Sequence, residues 1–187
     1  MHMPTLKRLW TVADLEELPD DGNRYEVIDG ELFVTPSPSA DHQEAVGLLY
    51  RLLADYLVEE RVGHAFVSPG EIVFSPRRGV QPDVFIVPLD AGRRPESFRE
   101  VSRLLLAAEV LSPTTARADR VAKRTLFREV GVPEYWIVDL DARTIERSTP
   151  FDARPEIVTG RLEWLPEGAA TPFVLDVEVF FAKALER

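Results

Sequence analysis

The sequence predicts a single α/β domain, and three observations carry that expectation. Two segments of helical period, His42–Val58 and Thr115–Val130, are interleaved with short strand-like runs. The run Leu104-Leu-Leu-Ala-Ala-Glu-Val-Leu111 is apolar without alternation, as in a central strand covered on both faces. Asp29-Gly30, between Tyr25-Glu-Val-Ile28 and Glu31-Leu-Phe-Val34, offers the positive φ angles of a tight hairpin turn. With 187 residues, 45% of them hydrophobic, the chain can bury one core, and no linker or repeat divides residues 1–187.

Taken in order, Thr11–Leu18 reads as a short amphipathic helix ended by Pro19, followed by the hairpin. Thr35-Pro-Ser-Pro-Ser39 is a rigid loop that leads to a helix capped by Ser39 or Asp41. In that helix Ala45, Val46, Leu49, Leu52, Leu53, Tyr56 and Leu57 recur at helical spacing. Strands follow at about His64–Phe74, broken near Pro69-Gly70, and at Val80–Val87. The polar, arginine-rich stretch Ala91–Glu100 suggests a mobile loop. After the central strand comes the helix Thr115–Val130, closed by Gly131. A strand at Glu134–Asp139, antiparallel strands within Thr144–Phe173 and a closing helix at Asp176–Leu185 complete the chain. The core order is helix, strand, strand, strand, helix, strand.

Composition narrows the function classes. The absence of cysteine excludes disulfides and thiolate metal sites. The start, MHMPTLKRLW, has no apolar leader core, and no apolar run is long enough for a membrane span, so a cytoplasmic location is expected. A net charge of −10 argues against a general nucleic-acid coat protein. The charge is uneven, however: residues 1–62 carry 13 acidic and 5 basic groups, whereas 63–187 carry 19 and 17. Within Thr115–Val130 five basic groups face two acidic ones, a local patch that could touch phosphates or simply be a solvated helix face.

Two carboxylates stand where strands normally exclude them. Asp83 follows Gln81-Pro82 and precedes Val-Phe-Ile-Val87, and Glu109 lies inside the apolar central run. An ionised carboxylate there is costly unless it is paired or bound to a metal. On neighbouring strands the two would converge as hard oxygen ligands for Mg²⁺ or Mn²⁺; otherwise each caps a strand or pairs with an arginine. Lys123, one of three lysines beside 19 arginines, lies four residues after Asp119 on one helical stripe. The apolar stripe Ala118, Ala122, Leu126, Val130 should face the sheet. That puts Asp119 and Lys123 at the border of core and solvent, from which Lys123 could reach a site above the strands or form a surface pair. His42 and Glu31 are supporting candidates, set against a satisfied histidine and a turn-side charge. Tyr135 and Trp136 read as strand packing.

The segments Tyr25-Glu-Val-Ile-Asp-Gly-Glu-Leu32, Pro36-Ser-Pro-Ser-Ala-Asp-His-Gln43, Gln81-Pro-Asp-Val84, Glu109-Val-Leu-Ser-Pro-Thr-Thr115, Asp119-Arg-Val-Ala-Lys123 and Gly131-Val-Pro-Glu-Tyr-Trp-Ile-Val-Asp139 resemble, in order, the bacterial Uma-type family. That family belongs to the PD-(D/E)XK, restriction-endonuclease-like superfamily. The resemblance implies a restriction-endonuclease-like core, a mixed sheet flanked by helices, with added antiparallel strands. Pro82-Asp83 then matches the PD element and Glu109 the second acidic position. Leu111 stands where the pattern has lysine, and Lys123 is the substitute on the following helix.

The implied activity is metal-dependent hydrolysis of phosphodiester bonds, in DNA before RNA. Asp83, Glu109 and the Val110 carbonyl would hold a divalent Mg or Mn ion, and Lys123 would orient water and stabilise negative charge. Cleavage of both strands of a duplex implies a homodimer. Two rivals are a catalytically inactive nucleic-acid-binding or assembly module on the same fold, and a hydrolase of small phosphodiesters.

Overall fold

The computed structural model describes residues 8–186. Most of the amino-terminal stretch read above as lacking a leader lies outside the described residues. The hairpin forms as expected. Strands β1 (Arg24–Ile28) and β2 (Glu31–Thr35) pair antiparallel around Asp29 at φ 51° and Gly30 at φ 80°, both left-handed. The opening helix α1 (Val12–Leu15) is shorter than the pattern suggested. Its capping box has Thr11 accepting from the Asp14 N–H while Asp14 accepts from Thr11.

Helix α2 (Ala40–Glu60) starts at Ser39, whose hydroxyl accepts from the His42 N–H at 3.2 Å. The strand pair expected between His64 and Val87 is four strands: β3 (Gly63–Val67), β4 (Ile72–Ser75), β5 (Arg78–Val80) and β6 (Val84–Pro88). Periodicity could not show that β4 and β5 leave the main sheet. Together they join the hairpin in a four-stranded sheet ordered β2-β1-β5-β4. Gln81-Pro82-Asp83 is the crossing from that sheet into the main one, which suits a proline that cannot donate to a ladder.

The main sheet has the order β10-β9-β8-β7-β6-β3. Here β7 is Leu106–Val110, β8 Tyr135–Asp139, β9 Thr144–Ser148 and β10 Glu156–Val158. Only β7 and β8 are parallel. All five residues of β7 are buried, as a strand at the sheet's centre requires. The pair β11 (Arg161–Trp164) and β12 (Phe173–Asp176) leads into α4 (Val177–Ala184). Ala91–Glu100 contains one turn of 3₁₀ helix at Phe98–Glu100.

Two cores flank the main sheet. Val84, Ile86, Leu106, Ala108, Trp136 and Val138 face α2, α4, Trp164 and Phe173 on one side. Phe85, Val87, Ala107, Tyr135 and Ile137 face the other side, with Ile28, Ile72 and Val80 of the small sheet and Leu126 and Phe127 of the next helix. Strand alternation therefore aims Asp83 and Glu109 into the second layer, between the two sheets. None of the helices among the described residues is long and apolar enough to cross a membrane.

The helix after β7 departs from expectation in phase. It opens with a π-helical segment, Ala118–Lys123, and continues as α3 (Arg124–Glu129). Asp119 and Lys123 are fully buried, whereas Ala118 and Ala122, expected to face the sheet, are only half-buried. In an uninterrupted α-helix, residues four apart drift by about 40° per step. The wider π turn cancels that drift, so Thr115, Asp119, Lys123 and Phe127 all point inward.

This phase is testable by truncation. Phe127→Ala, buried here though off the expected apolar stripe, should cost about 3–5 kcal/mol, and Val121→Ala, 58% exposed, within about 0.5 kcal/mol. Urea unfolding of both variants checks it; comparable losses would contradict the inward face described.

Candidate active site

Asp83 sits one step beyond the Val84–Ala108 pair, so the β6–β7 register brings it directly opposite Glu109. Its carboxylate takes over from the ladder, with Oδ2 accepting from the Val110 N–H at 2.9 Å. Oδ1 accepts from Arg24 Nη1 at 2.7 Å, and His42 Nε2 lies 3.3 Å from Oδ2. Ser39 fixes the first turn of α2 and thereby aims His42 at this carboxylate.

Lys123 comes from the opposite side. Its Nζ donates to Glu109 Oε1 at 2.7 Å, lies 2.9 Å from Glu26 Oε2 and 3.6 Å from Asp119 Oδ1. The other Glu26 oxygen accepts from the Gln81 N–H at 2.7 Å, which ties β1 to the crossing segment. Tyr135 donates its hydroxyl to the Asp119 carbonyl at 3.1 Å and steadies the π turn. Glu26, Glu109, Asp119 and Lys123 are each 1% exposed, and Asp83 2%. Lys123 is therefore not at a border of core and solvent, and the solvated surface pair is excluded.

The structure thus gathers Asp83, Glu109, Lys123, Asp119 and His42 in one cluster, with Val110 contributing its N–H. Glu31 stays outside. It is exposed and pairs with Ile28, at the other end of β1 from Arg24 and about 13 Å along the strand. Sequence reasoning missed Arg24 and Glu26. The period of two in Arg24-Tyr-Glu-Val-Ile28 puts positions 24, 26 and 28 on one face, and an inward Ile28 would have carried both charges inward with it.

Four carboxylates, Glu26, Asp83, Glu109 and Asp119, face two permanent cations, Arg24 and Lys123. Burial alone would lower the Lys123 pKa, but Glu109, Glu26 and Asp119 outweigh it and hold it above the ordinary lysine value. Burial would raise the Asp83 carboxyl, yet contact with His42 and the charges of Arg24 and Lys123 keep it well below the usual range. Glu109 goes the other way. Its burial outweighs Lys123, and Asp83 and Asp119 push it higher still. Burial likewise raises Asp119 against the pull of Lys123. The cluster therefore carries two surplus negative charges unless protons or a cation neutralise them.

That surplus, the hard oxygen donors and a buried Asp119 Oδ1 without a hydrogen-bond partner fit a divalent cation. Among the described residues no three histidine or carboxylate side chains converge on one point, because Arg24 and Lys123 hold the acidic oxygens. Above the cluster opens a cleft of about 1170 Å³, with Arg24, His42 and Asp83 in its wall alongside Ser112, Thr115 and Arg120. Arg120 is already spent, at 2.6 Å from both Asp139 and Glu146. Of the five basic groups on this helix, Lys123 is buried and Arg120 is paired, while Arg117 and Arg128 stay exposed.

Comparison with known proteins follows the same line. The family described as "Uma2: Putative restriction endonuclease" matches residues 12–178. A crystal structure described as a putative nuclease belonging to DUF820, from Anabaena variabilis ATCC 29413, superposes with a TM-score of 0.76 at 18% sequence identity. The match covers 94% of this chain and 99% of that one, and it shows a shared fold. No curated protein matches.

Two measurements probe the cluster. Lys123→Met removes the charge that several buried carboxylates depend on, so it should destabilise by about 3–5 kcal/mol in urea unfolding, against under about 1 kcal/mol for a surface pair. The second concerns pH. A carboxyl that holds its proton more tightly when folded makes folding consume protons, so stability falls as pH rises from the ordinary carboxylate range through the higher folded value. The melting temperature of the metal-free protein should therefore fall as pH rises above the ordinary carboxylate range, and Glu109→Gln should flatten that slope. An unchanged slope would assign the proton to another group.

Proposed function

The chain belongs to the Uma2 family, and we propose that it is a metal-dependent nuclease hydrolysing phosphodiester bonds in DNA, with Asp83, Glu109 and Lys123 as its catalytic residues. One observation carries the reading: two carboxylates from adjacent strands and a buried lysine meet beneath an open cleft, with more negative charge than the chain itself neutralises.

Asp83, Glu109 and the Val110 carbonyl oxygen would hold a divalent Mg or Mn ion. Such an ion supplies Lewis acidity towards a phosphoryl oxygen and acidifies a hydrolytic water. The residues of the chain do the rest. Lys123, kept protonated by its acidic neighbours, sets a fixed positive charge beside Glu109, where charge on the phosphate grows in the transition state. Glu26 and Asp119 hold that ammonium in place, and neither needs to touch substrate. His42 orients Asp83 from the start of α2. The Val110 N–H holds Asp83 Oδ2 and so fixes the carboxylate plane.

Cutting both strands of a duplex calls for two such sites, and we propose a two-fold dimer. The outer strand β10 presents Ile157, 56% exposed, and the turn before it presents Phe151, 96% exposed. Light scattering should report twice the chain mass; a monomer at high micromolar concentration overturns the dimer.

For the activity, supercoiled plasmid and single-stranded DNA are incubated with Mn²⁺ and wild type, Asp83→Asn, Glu109→Gln or Lys123→Met. Wild type should cut, and each variant that remains folded should lose about two to four powers of ten in rate. Hydrolysis of bis-p-nitrophenyl phosphate without polymer cleavage would favour a small-phosphodiester hydrolase. No cleavage by wild type on any substrate would favour a binding module on the nuclease fold.

A further inference from the structure

We propose that the Arg24 guanidinium is a built-in counter-ion that keeps the place of the divalent cation and moves onto the substrate phosphate when metal and phosphodiester enter together. The inference rests on the metal-dependent reading above and assigns a positioning role to a residue which that reading does not use.

Arg24 bridges the two carboxylates that would ligate the ion. Nη1 is 2.7 Å from Asp83 Oδ1 and Nη2 is 3.8 Å from Glu109 Oε2. With Val110 and His42 on Oδ2, this leaves Asp83 no oxygen clear of a partner. A divalent ion shared by Asp83 Oδ1 and Glu109 would take up the position that the guanidinium now fills between them. Lys123 cannot be the group that moves, because it is sealed in and three carboxylates surround it.

Arg24 is placed to move. It is the outermost cation of the cluster, 18% exposed at the side chain, and it lines the cleft. Its backbone stays anchored through the Arg24–Thr35 pair, so the excursion is one of side-chain torsions. The bridging pose also leaves a donor unmet. Nε is buried without a hydrogen-bond partner, 3.8 Å from Glu26 Oε2. A phosphate accepts from a guanidinium through two parallel N–H groups, so the turn into the cleft exchanges an incompletely hydrogen-bonded carboxylate bridge for a well-matched anion. Metal and phosphodiester would then favour each other's binding, since each occupies what the other releases.

The test is calorimetric titration of Mn²⁺ into the metal-free full chain. Wild type is compared with Arg24→Gln, Arg24→Lys and, as a control cation of the same cleft, Arg120→Gln. Each is titrated alone and with a phosphorothioate-linked thymidine tetranucleotide. Arg24→Gln should bind Mn²⁺ about tenfold more tightly or better, and Arg120→Gln should change affinity by less than about twofold. The tetranucleotide should tighten Mn²⁺ binding to wild type by about fivefold or more, and in Arg24→Gln this gain should shrink to the part that direct contact between ion and phosphate supplies. Arg24→Lys keeps the charge but cannot bridge both carboxylates. It should fall between wild type and Arg24→Gln, which keeps the test decisive if the glutamine variant does not fold. Mn²⁺ binding to wild type that neither variant strengthens overturns the counter-ion role and leaves the metal reading standing. Mn²⁺ binding by neither wild type nor variants overturns both.

Discussion

The hydrogen bond from Lys123 to Glu109, with Glu26 in reach of the same ammonium, is the contact on which the arrangement of the second layer depends. It joins three elements that share no backbone ladder: β1 of the small sheet, β7 at the centre of the main sheet and the helix that follows β7. Without that cation, four carboxylates would face one another in a medium that screens charge poorly, and Arg24 alone could not offset them. Even with it, burial holds the Glu109 and Asp119 carboxyls above their usual range, and the neighbouring acids add to the rise. A cluster of this kind is a poor way to stabilise a fold, since apolar packing of equal volume does as well or better. Its presence in the layer that opens to the cleft is therefore better explained by what it can bind.

The π segment makes that contact possible. Thr115, Asp119 and Lys123 are spaced by four, and an α-helix would carry successive members round towards solvent. One widened stretch keeps them on a single line and then hands over to α3, where Leu126 and Phe127 resume an apolar face. The same helix thus presents charge at the site end and hydrocarbon beyond it. Tyr135 caps the irregularity through the Asp119 carbonyl, and its buried neutral hydroxyl adds no charge to the layer.

Much of this was legible in the residues because the signals were local. The Asp-Gly hairpin, the serine cap of α2, the unbroken apolar run of β7 and the closing helix all follow from turn chemistry and period. Asp83 and Glu109 were visible because a carboxylate inside a strand has few explanations. The β4–β5 hairpin was hidden because nothing in a short apolar run says which sheet it joins. Lys123 was visible as a residue but misplaced by a regular helix wheel, since no pattern in the sequence announces a π turn. Arg24 and Glu26 were missed for a tertiary reason. Their strand looks like an ordinary half-exposed hairpin arm until a second sheet closes over it.

A balance of charge connects the cluster to the rest of the molecule. The chain is acidic overall, Arg120 is tied to Asp139 and Glu146, and Lys123 is consumed within the layer. Along the cleft this leaves Arg143 as the exposed basic group, little with which to hold a polyanion by a general field. On the proposed nuclease reading, attraction for phosphate would come from the site itself, through cations that the surplus carboxylates retain there. Too few carboxylates would hold no ion, while full neutralisation by lysine and arginine would leave it no reason to enter. Four acids against two fixed cations lies between these limits, and of those two cations Arg24 is the one that lines the cleft.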